Sequence, residues 1–141
     1  MTNDKKYNLR ERTAIFGESV IILAKTIPIN PVTHSIIGQL VRSSTSIGAN
    51  YNEADNAESK KDFKHKIGLC KKESSETTYW LRMLAKAQPE LSDQCRILWK
   101  EAHELTLIFG TIHQRNYSDL PIRTWFVICH LDFVIIKVFH V

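Results

Sequence analysis

Six lysines lie close together between positions 60 and 72, and they are the residues of this chain best suited to binding chemistry. Lysine ammonium groups contact phosphates as point charges, so clustered lysines are typical of surfaces that bind nucleic acid. A lysine-rich helix face is also typical of an ordinary solvated surface, and that alternative stays open. The candidate phosphate-binding residues are Lys60, Lys61, Lys64, Lys66, Lys71 and Lys72.

One arginine and two glutamates have a spacing that predicts an ion pair between two helices. Arg42 precedes a turn expected near Asn56, and Glu73 and Glu76 follow that turn. If the two helices run antiparallel, Arg42 lies near the level of Glu73 or Glu76. A shielded pair would set the helix register or a subunit contact, because breaking a buried pair costs about 3–5 kcal/mol, whereas an exposed pair contributes little. Both the shielded and the exposed alternative are open at this point.

The sequence lacks the patterns of catalytic and metal sites. Di-iron sites in four-helix bundles use a Glu-x-x-His pair on each of two helices, and no Glu in this chain has a His three residues later. The nearest pattern is Asp62-x-x-His65, while Glu101 and Glu104 form a Glu-x-x-Glu pair. Neither a G-x-S-x-G nucleophile motif nor a P-loop is present. We therefore expect no enzyme activity, no metal site and no cofactor.

The candidate residues must be positioned by helices, and one of these helices carries a run of small and hydroxylated residues. Small side chains let two helix backbones approach closely, so the run predicts a crowded helix–helix contact. Its serines are interpreted as packing residues, because no placed His and acid accompany them. This packing motif comprises Arg42, Ser43, Ser44, Ser46, Gly48, Ala49, Asn50 and Glu53.

Four segments repeat apolar or small residues at alternating spacings of three and four, the pattern of one helix face. The first stops before Pro28, because the residue preceding a proline is pushed out of the α region. Asn30 followed by Pro31 supplies an N-cap and a first-turn proline, and Ser59 and Ser92 are the predicted caps of the last two helices. The predicted core stripes cover residues 9–27, 33–54, 63–84 and 95–112.

The connections between these segments are short, which makes neighbouring helices antiparallel. The predicted fold class is therefore an all-α, antiparallel up-down-up-down four-helix bundle, formed by residues 1–118. Residues 119–141 are rich in Val, Ile and Phe and lose the helical spacing, so we expect a β-prone or disordered hydrophobic appendage outside the bundle. His130, Asp132 and Lys137 interrupt this stretch, which argues against a membrane span.

Composition limits the class of protein. The 141 residues suffice for one domain, and 43% hydrophobic with 24% charged residues is ordinary for a globular protein. A net charge of +4 makes acidic partners such as nucleic acid compatible with the chain. Three cysteines without a CxxC pair, and a polar start without an apolar leader, predict reduced thiols in a cytoplasmic protein.

Three segments of the chain resemble one known family. They read RSSTSIGANYNEA at 42–54, AESKKDF at 57–63 and KKESSETTYWL at 71–81. In this order they resemble the four-helix-bundle family related to the protein encoded in intervening sequences of bacterial 23S ribosomal RNA genes, often labelled S23-like. The accessory protein of diversity-generating retroelements, which works beside a reverse transcriptase, looks similar. The resemblance covers about residues 5–117 and leaves out the C-terminal stretch.

The resemblance implies a four-helix bundle that assembles into a ring-like homopentamer without established enzyme activity. It also implies binding of structured RNA or DNA, or of a nucleic-acid enzyme such as a reverse transcriptase. Despite the S23 label, it does not imply that the protein is a ribosome component. Around a ring, the lysines of each subunit would add to an extended basic band. The competing interpretation is an oligomeric protein-interaction scaffold without a nucleic-acid role.

Overall fold

Prolines and capping side chains divide residues 8–115 into four α-helices. The computed structural model describes residues 8–115. The helices are α1 (Leu9–Thr26), α2 (Pro31–Asp55), α3 (Lys60–Ala87) and α4 (Ser92–Gln114), and a 3₁₀ turn (Pro89–Leu91) precedes α4. This arrangement confirms the predicted all-α, four-helix fold class. The predicted appendage at 119–141 and the domain limit at residue 118 lie outside the described residues.

The start of α2 is fixed by local hydrogen bonds around Asn30, as predicted. The side-chain oxygen of Asn30 accepts from the N–H groups of Val32 and Thr33, at 2.9 and 3.0 Å. In return, Thr33 Oγ1 accepts from the Asn30 N–H at 2.9 Å. This reciprocal capping box satisfies backbone donors that have no partner inside the helix.

The other helix boundaries agree with their predictions except at α4. α1 ends ahead of Pro28, and Ser59 caps α3 by accepting a hydrogen bond from the Asp62 N–H at 3.1 Å. The predicted cap of α4 is wrong, because Ser92 has helical backbone angles and is the first residue of the helix. Leu91 occupies the cap position without a side-chain hydrogen bond. The boundary shifts because the preceding 3₁₀ turn, which begins at a proline, continues directly into α4.

The four predicted stripes form one hydrophobic core. All stripe residues of α1 and α3 are buried, and Ile67 and Leu81 are fully inaccessible to solvent. Ile37, Leu98 and Ile112, on α2 and α4, are only partly buried but pack against the same core. Full burial of such a side chain contributes about 1.5–3 kcal/mol relative to leaving it in water. The core therefore holds the four helices in place and positions the polar groups around it.

Contacts between consecutive helices join residues in reverse order along the chain. Between α2 and α3, the hydroxyl oxygens of Ser43 and Thr77 lie 3.0 Å apart. One turn later in α2, the carbonyl of Ile47 accepts from the thiol of Cys70, which is earlier in α3, at 3.6 Å. The lysine-rich N-terminal half of α3 therefore lies beside the C-terminal half of α2.

The α1–α2 contact is close where the side chains are small. Gly48 lies against Thr13, so that an added Cβ would be 3.4 Å from the Thr13 Oγ1. Gly17 lies against Thr45, whose Cα would be 3.7 Å from an added Cβ. Within the predicted packing motif the buried members are Ser43, Ser44 and Gly48, the partly buried ones Ser46 and Asn50, and the exposed ones Arg42, Ala49 and Glu53. The motif thus combines buried small residues with two charged residues at its ends.

α1 packs along α2 but touches α4 at few positions. Consistent with this, Ile15, Ile21 and Ile22 of α1 are exposed, Ile22 by 67%. These isoleucines lie outside the predicted core stripe, and the structure leaves them uncovered. Within residues 8–115, no helix combines the length and the apolar character needed to cross a bilayer.

Candidate nucleic-acid interface

The predicted phosphate-binding lysines lie in the N-terminal half of α3. Phe63 and Ile67 hold this part of the helix in the core, and most of the lysines lie on the sides that the core leaves open. Lys60, in the first turn, is partly buried. The four exposed members form no ion pair with any residue between 8 and 115, and we call them the exposed lysines: Lys61, Lys64, Lys71 and Lys72.

Lys66 differs from the exposed lysines because its ammonium group pairs with Glu53 of α2. The hydrogen bond to Glu53 raises the pKa of Lys66 above its ordinary value. An ammonium group held by a carboxylate offers less free charge to a phosphate. Lys66 and the last residue of the packing motif therefore join α2 to α3 instead of adding to the exposed lysines.

Arg42 lies together with both of its predicted partners. Its Nη1 is 3.1 Å from Glu73 Oε2, and its Nη2 donates to Glu76 Oε1. Gln39 also accepts from Arg42 Nε, at 3.2 Å. The Arg42 side chain is 47% exposed, whereas Glu73 is only 13% exposed. Of the two alternatives left open by the sequence, the arginine corresponds to the exposed one, for which a contribution below about 1 kcal/mol is typical.

The carboxylate of Glu76 is fixed by two donors. Trp80 Nε1 donates to Glu76 Oε1 at 3.1 Å, and Arg42 donates to the same oxygen. Partial burial alone would raise the pKa of Glu76, but these hydrogen bonds and the positive charges of Arg42 and Lys72 outweigh it and lower the pKa. The carboxylate is therefore ionised at neutral pH and holds the Trp80 indole in place.

An open groove of about 610 Å³ runs along α3 beside α4, next to this network. Its volume falls in the range of about 300–1,000 Å³ that is typical of ligand sites. Near its end, the alkyl chain of Lys71 lies against Gly110 of α4, with Cε 3.6 Å from the position of an added Cβ. The residues that line it are Gly68, Lys71, Lys72, Ser75, Glu76, Tyr79, Trp80 and Thr106.

Exposed aromatic rings occur on both α3 and α4. Tyr79 is 53% exposed and packs edge-on against Trp80, with ring centroids 5.1 Å apart and an interplanar angle of 79°. On α4, Trp99 stacks on His103, with centroids 4.9 Å apart and nearly parallel rings at 10°. Both geometries are favourable for aromatic pairs, so each pair holds its rings in a defined orientation.

A second charged group, between α1 and α4, was not predicted. Arg12 Nε and Nη2 donate to the two carboxylate oxygens of Glu101 at 2.6 and 2.9 Å, and Nη2 lies 3.1 Å from Glu104 Oε2. The Arg12 side chain is only 9% exposed, and its Nη1 has no hydrogen-bond partner within the described residues. Burial would lower the pKa of Arg12, but the two glutamates outweigh burial and raise it.

The signal for this group was the Glu101-x-x-Glu104 pair. Carboxylates three residues apart lie on one side of a helix and repel each other unless a cation neutralises them. At the level of sequence, that pair resembles only an incomplete metal-ligand pattern. Which basic residue turns inward to meet it depends on the packing of α1 against α4, and the sequence pattern does not contain that information.

Residues 8–115 show little sign of a metal site or of a reactive thiol. No group of three or more His, Cys, Asp or Glu side chains there is arranged to hold a metal ion. Cys70 and Cys95 are buried free thiols. Burial raises the pKa of Cys70 to about 12 and also raises that of Cys95. Both are protonated at neutral pH, and a protonated thiol is a poor nucleophile.

The fold and this surface define an all-α, four-helix protein with a basic helix bordered by exposed aromatic rings. Residues 5–111 match the family described as 23S rRNA-intervening sequence protein, and the chain belongs to that family. The resemblance read from the three sequence segments is thereby confirmed.

A solved crystal structure supports the same assignment. It is of a protein of unknown function from the S23 ribosomal protein family of Bacteroides thetaiotaomicron, with 26% sequence identity and a TM-score of 0.66. The match covers 76% of this chain and 99% of that chain. A comparison with curated proteins gives no significant match.

Proposed function

We propose that this protein binds structured RNA or DNA, without catalysing a reaction, through the exposed lysines of α3. The observation that carries this proposal is a set of four exposed ammonium groups on one helix, none of which forms an ion pair with a carboxylate of residues 8–115. Free ammonium groups attract phosphates and release the counterions condensed on a nucleic acid. The name of the family, which refers to an intervening sequence of 23S rRNA, is compatible with a nucleic-acid partner.

The spacing of the exposed lysines suits a row of phosphates. Lys64 and Lys71 are two helical turns apart, and Lys61 and Lys72 are three turns apart, so each pair lies along one side of α3. The separations along the helix axis are about 10 and 16 Å at 1.5 Å per residue. A single small anion is too short to contact such a row, whereas a nucleic-acid backbone presents charges along its whole length.

The salt dependence of binding to a fluorescein-labelled DNA duplex, followed by fluorescence anisotropy, tests this proposal. If four phosphates are neutralised per subunit, log affinity falls against log salt with a slope of about −3.6. The triple variant Lys61→Gln, Lys64→Gln and Lys72→Gln should retain a slope of about −0.9. An RNA hairpin measured in parallel shows which nucleic acid binds more tightly.

A matched triple variant controls for the loss of net charge. Lys25, Lys86 and Lys100 are also exposed but lie outside the cluster, and their replacement by Gln removes the same three charges. This control should keep the wild-type slope. Equal flattening in both triple variants would show a diffuse charge effect, and absence of binding at low salt would exclude the nucleic-acid function.

The proposal includes a cytoplasmic homo-oligomer, with five subunits as the family resemblance implies. Ile15 and Ile22 support it, because they lie seven residues apart on one side of α1, and exposed apolar side chains that share a helix side are typical of interaction sites. In a ring, each subunit would contribute its exposed lysines to one basic band.

A second candidate function is an oligomeric scaffold that docks a protein, such as a nucleic-acid enzyme of the reverse-transcriptase kind. Ile97 and Leu107 of α4, exposed by 69% and 59%, favour this alternative because they add apolar surface on a second helix. For a scaffold, the lysine substitutions would leave function intact, and nucleic acid would bind only weakly.

A further inference from the structure

We propose that the groove along α3 binds an unpaired nucleotide of the nucleic acid, with its base stacked on Tyr79 and its phosphate held by Lys71 and Lys72. This inference rests on the proposed function and names the part of the nucleic acid that enters the groove. The preferred ligand is a duplex with a single-stranded segment beside it.

The groove offers the two kinds of contact that a nucleotide needs. More than half of the Tyr79 side chain is exposed, and it lines the same groove as Lys71 and Lys72. Every base has a flat π-face that stacks on an aromatic ring, whereas the phosphate requires a cation. A volume of about 610 Å³ is large enough for one nucleotide, although a double helix is far too wide for it.

Tyr79 is held ready for stacking by a chain of contacts that begins on α2. Arg42 fixes Glu76, Glu76 accepts from Trp80 Nε1 at 3.1 Å, and Trp80 packs edge-on against Tyr79. A side chain that is already ordered loses little conformational entropy when a ligand binds. The ion pair between α2 and α3 therefore acts as a support for the aromatic ring in the groove.

The charges in the groove favour an anion despite the carboxylate of Glu76. Arg42 neutralises that carboxylate through a direct hydrogen bond. Lys71 and Lys72 remain without an ion pair in the described part of the chain, and the stem of Lys71 rests on Gly110. Because Arg42, Lys71 and Lys72 outnumber the carboxylates of Glu73 and Glu76, the net charge beside Tyr79 is positive, which suits an anion such as a phosphate and disfavours a cation.

Only an unpaired base can use the Tyr79 ring. In a duplex the faces of each base are covered by their neighbours, so stacking on a protein ring requires a loop, a bulge or a single-stranded end. The same side of α4 continues from Thr106 in the groove to Trp99, seven residues earlier and about 10 Å along the axis. Trp99, held by His103, provides a second ring for a strand that continues along the two helices.

Two RNA hairpins with the same stem, each closed by a polyethylene-glycol linker instead of a nucleotide loop, test the inference: one is blunt and the other has a single-stranded 3′ extension. Binding to full-length protein is measured by fluorescence anisotropy at one fixed salt concentration. We expect the extension to tighten binding, and Tyr79→Leu to remove that gain with a loss of about tenfold. Tyr79→Phe, which keeps the ring, should bind the extended hairpin like the wild type.

The blunt hairpin separates this inference from the proposed function. Its binding depends on the exposed lysines alone, so Tyr79→Leu should leave it unchanged. If Tyr79→Leu also leaves binding of the extended hairpin unchanged, the stacking inference is wrong while phosphate binding stands. If neither hairpin binds, both the proposed function and this inference are wrong.

A free mononucleotide distinguishes a strand from a small ligand. Adenosine monophosphate offers the same base and phosphate without neighbouring phosphates, so it should compete only at concentrations far above those of the extended hairpin. Displacement at equal concentration would overturn the assignment to a strand and identify a mononucleotide site. A circular-dichroism melt of each variant, which should match the wild type because Tyr79 is exposed, confirms that folding is intact.

Discussion

Arg12 and Arg42 are chemically alike but differ in burial. Each pairs with two glutamates that are three residues apart. Arg12 of α1 pairs with two glutamates of α4, and Arg42 of α2 pairs with two glutamates of α3. Arg12 is 9% exposed and Arg42 is 47% exposed. A buried charge is stabilised only by its ion-pair and hydrogen-bond partners, whereas an exposed charge is also stabilised by water. The two groups should therefore respond differently to the same substitution.

Neutralising both partners of Arg12 should be costly. The variant with Glu101→Gln and Glu104→Gln leaves a buried guanidinium without a counter-charge, and we expect it to lower the free energy of unfolding by about 3 kcal/mol. Arg12→Met should cost only about 1 kcal/mol, because the two glutamates are partly exposed and become hydrated. Urea denaturation measures both changes.

The surface group provides the matched control. The double variant Glu73→Gln and Glu76→Gln removes both carboxylate charges beside Arg42. Because water can solvate the exposed guanidinium, we expect the free energy of unfolding to fall by less than about 1 kcal/mol. Equal losses in the two double variants would contradict the difference that burial predicts.

At the scale of the helices, Gly48 sets how closely α1 approaches α2. Gly48→Ala should be tolerated, because the new Cβ would lie 3.4 Å from Thr13 Oγ1 and alanine favours helix by up to about 1 kcal/mol. Gly48→Leu must push the helices apart, since the larger side chain has no room against Thr13, and overpacking typically costs about 1–3 kcal/mol. Thermal unfolding followed by circular dichroism measures both variants.

Gly38 of the same helix is the control position. No atom lies within 4 Å of an added Cβ there. Gly38→Leu should therefore raise stability through helix propensity alone. A similar gain for Gly48→Leu would show that the α1–α2 contact does not depend on a small residue.

Helix boundaries were predictable where local chemistry decides them. The Asn30 cap and the stop at Pro28 involve residues within one turn, so the sequence contains the whole cause. The start of α4 was missed because a 3₁₀ turn and an α-helix share the same early residues. The contact between Arg12 and Glu101 was missed because its partners are 89 residues apart and meet only through packing.

The candidate site, too, was predictable only in part. Clustered lysines are visible in the sequence, and so is the Arg42 spacing once antiparallel packing is assumed. Lys66 is not among the exposed lysines because it pairs with Glu53, and that contact depends on how α2 packs against α3. The groove beside Tyr79 exists because α4 packs along α3. Both are products of tertiary packing, which residue spacing does not describe.

For the molecule as a whole, the uncovered face of α1 predicts a subunit contact. Native mass spectrometry should show a species of about five times the 16.3 kDa chain. Ile22→Glu places a charge in that contact and should shift the mass toward the single chain, because an unpaired charge is costly to bury. The measurement uses full-length protein.

The same substitution on α4 controls for a general effect of added charge. Ile97 is exposed to the same extent as Ile22, at 69% and 67%, and Ile97→Glu should leave the mass unchanged. A monomeric wild type, or equal dissociation by both variants, would contradict a subunit contact at α1.

The link between Arg12 and Glu101 also bears on the order of events during synthesis. A chain folds from its N-terminus as it leaves the ribosome, and α1 finds its main neighbour, α2, early. Arg12, however, waits for its counter-charge until α4 has been translated, 89 residues later. A nascent chain halted before Glu101 should therefore already pair α1 with α2 but leave Arg12 without its counter-charge, which only the completed last helix supplies.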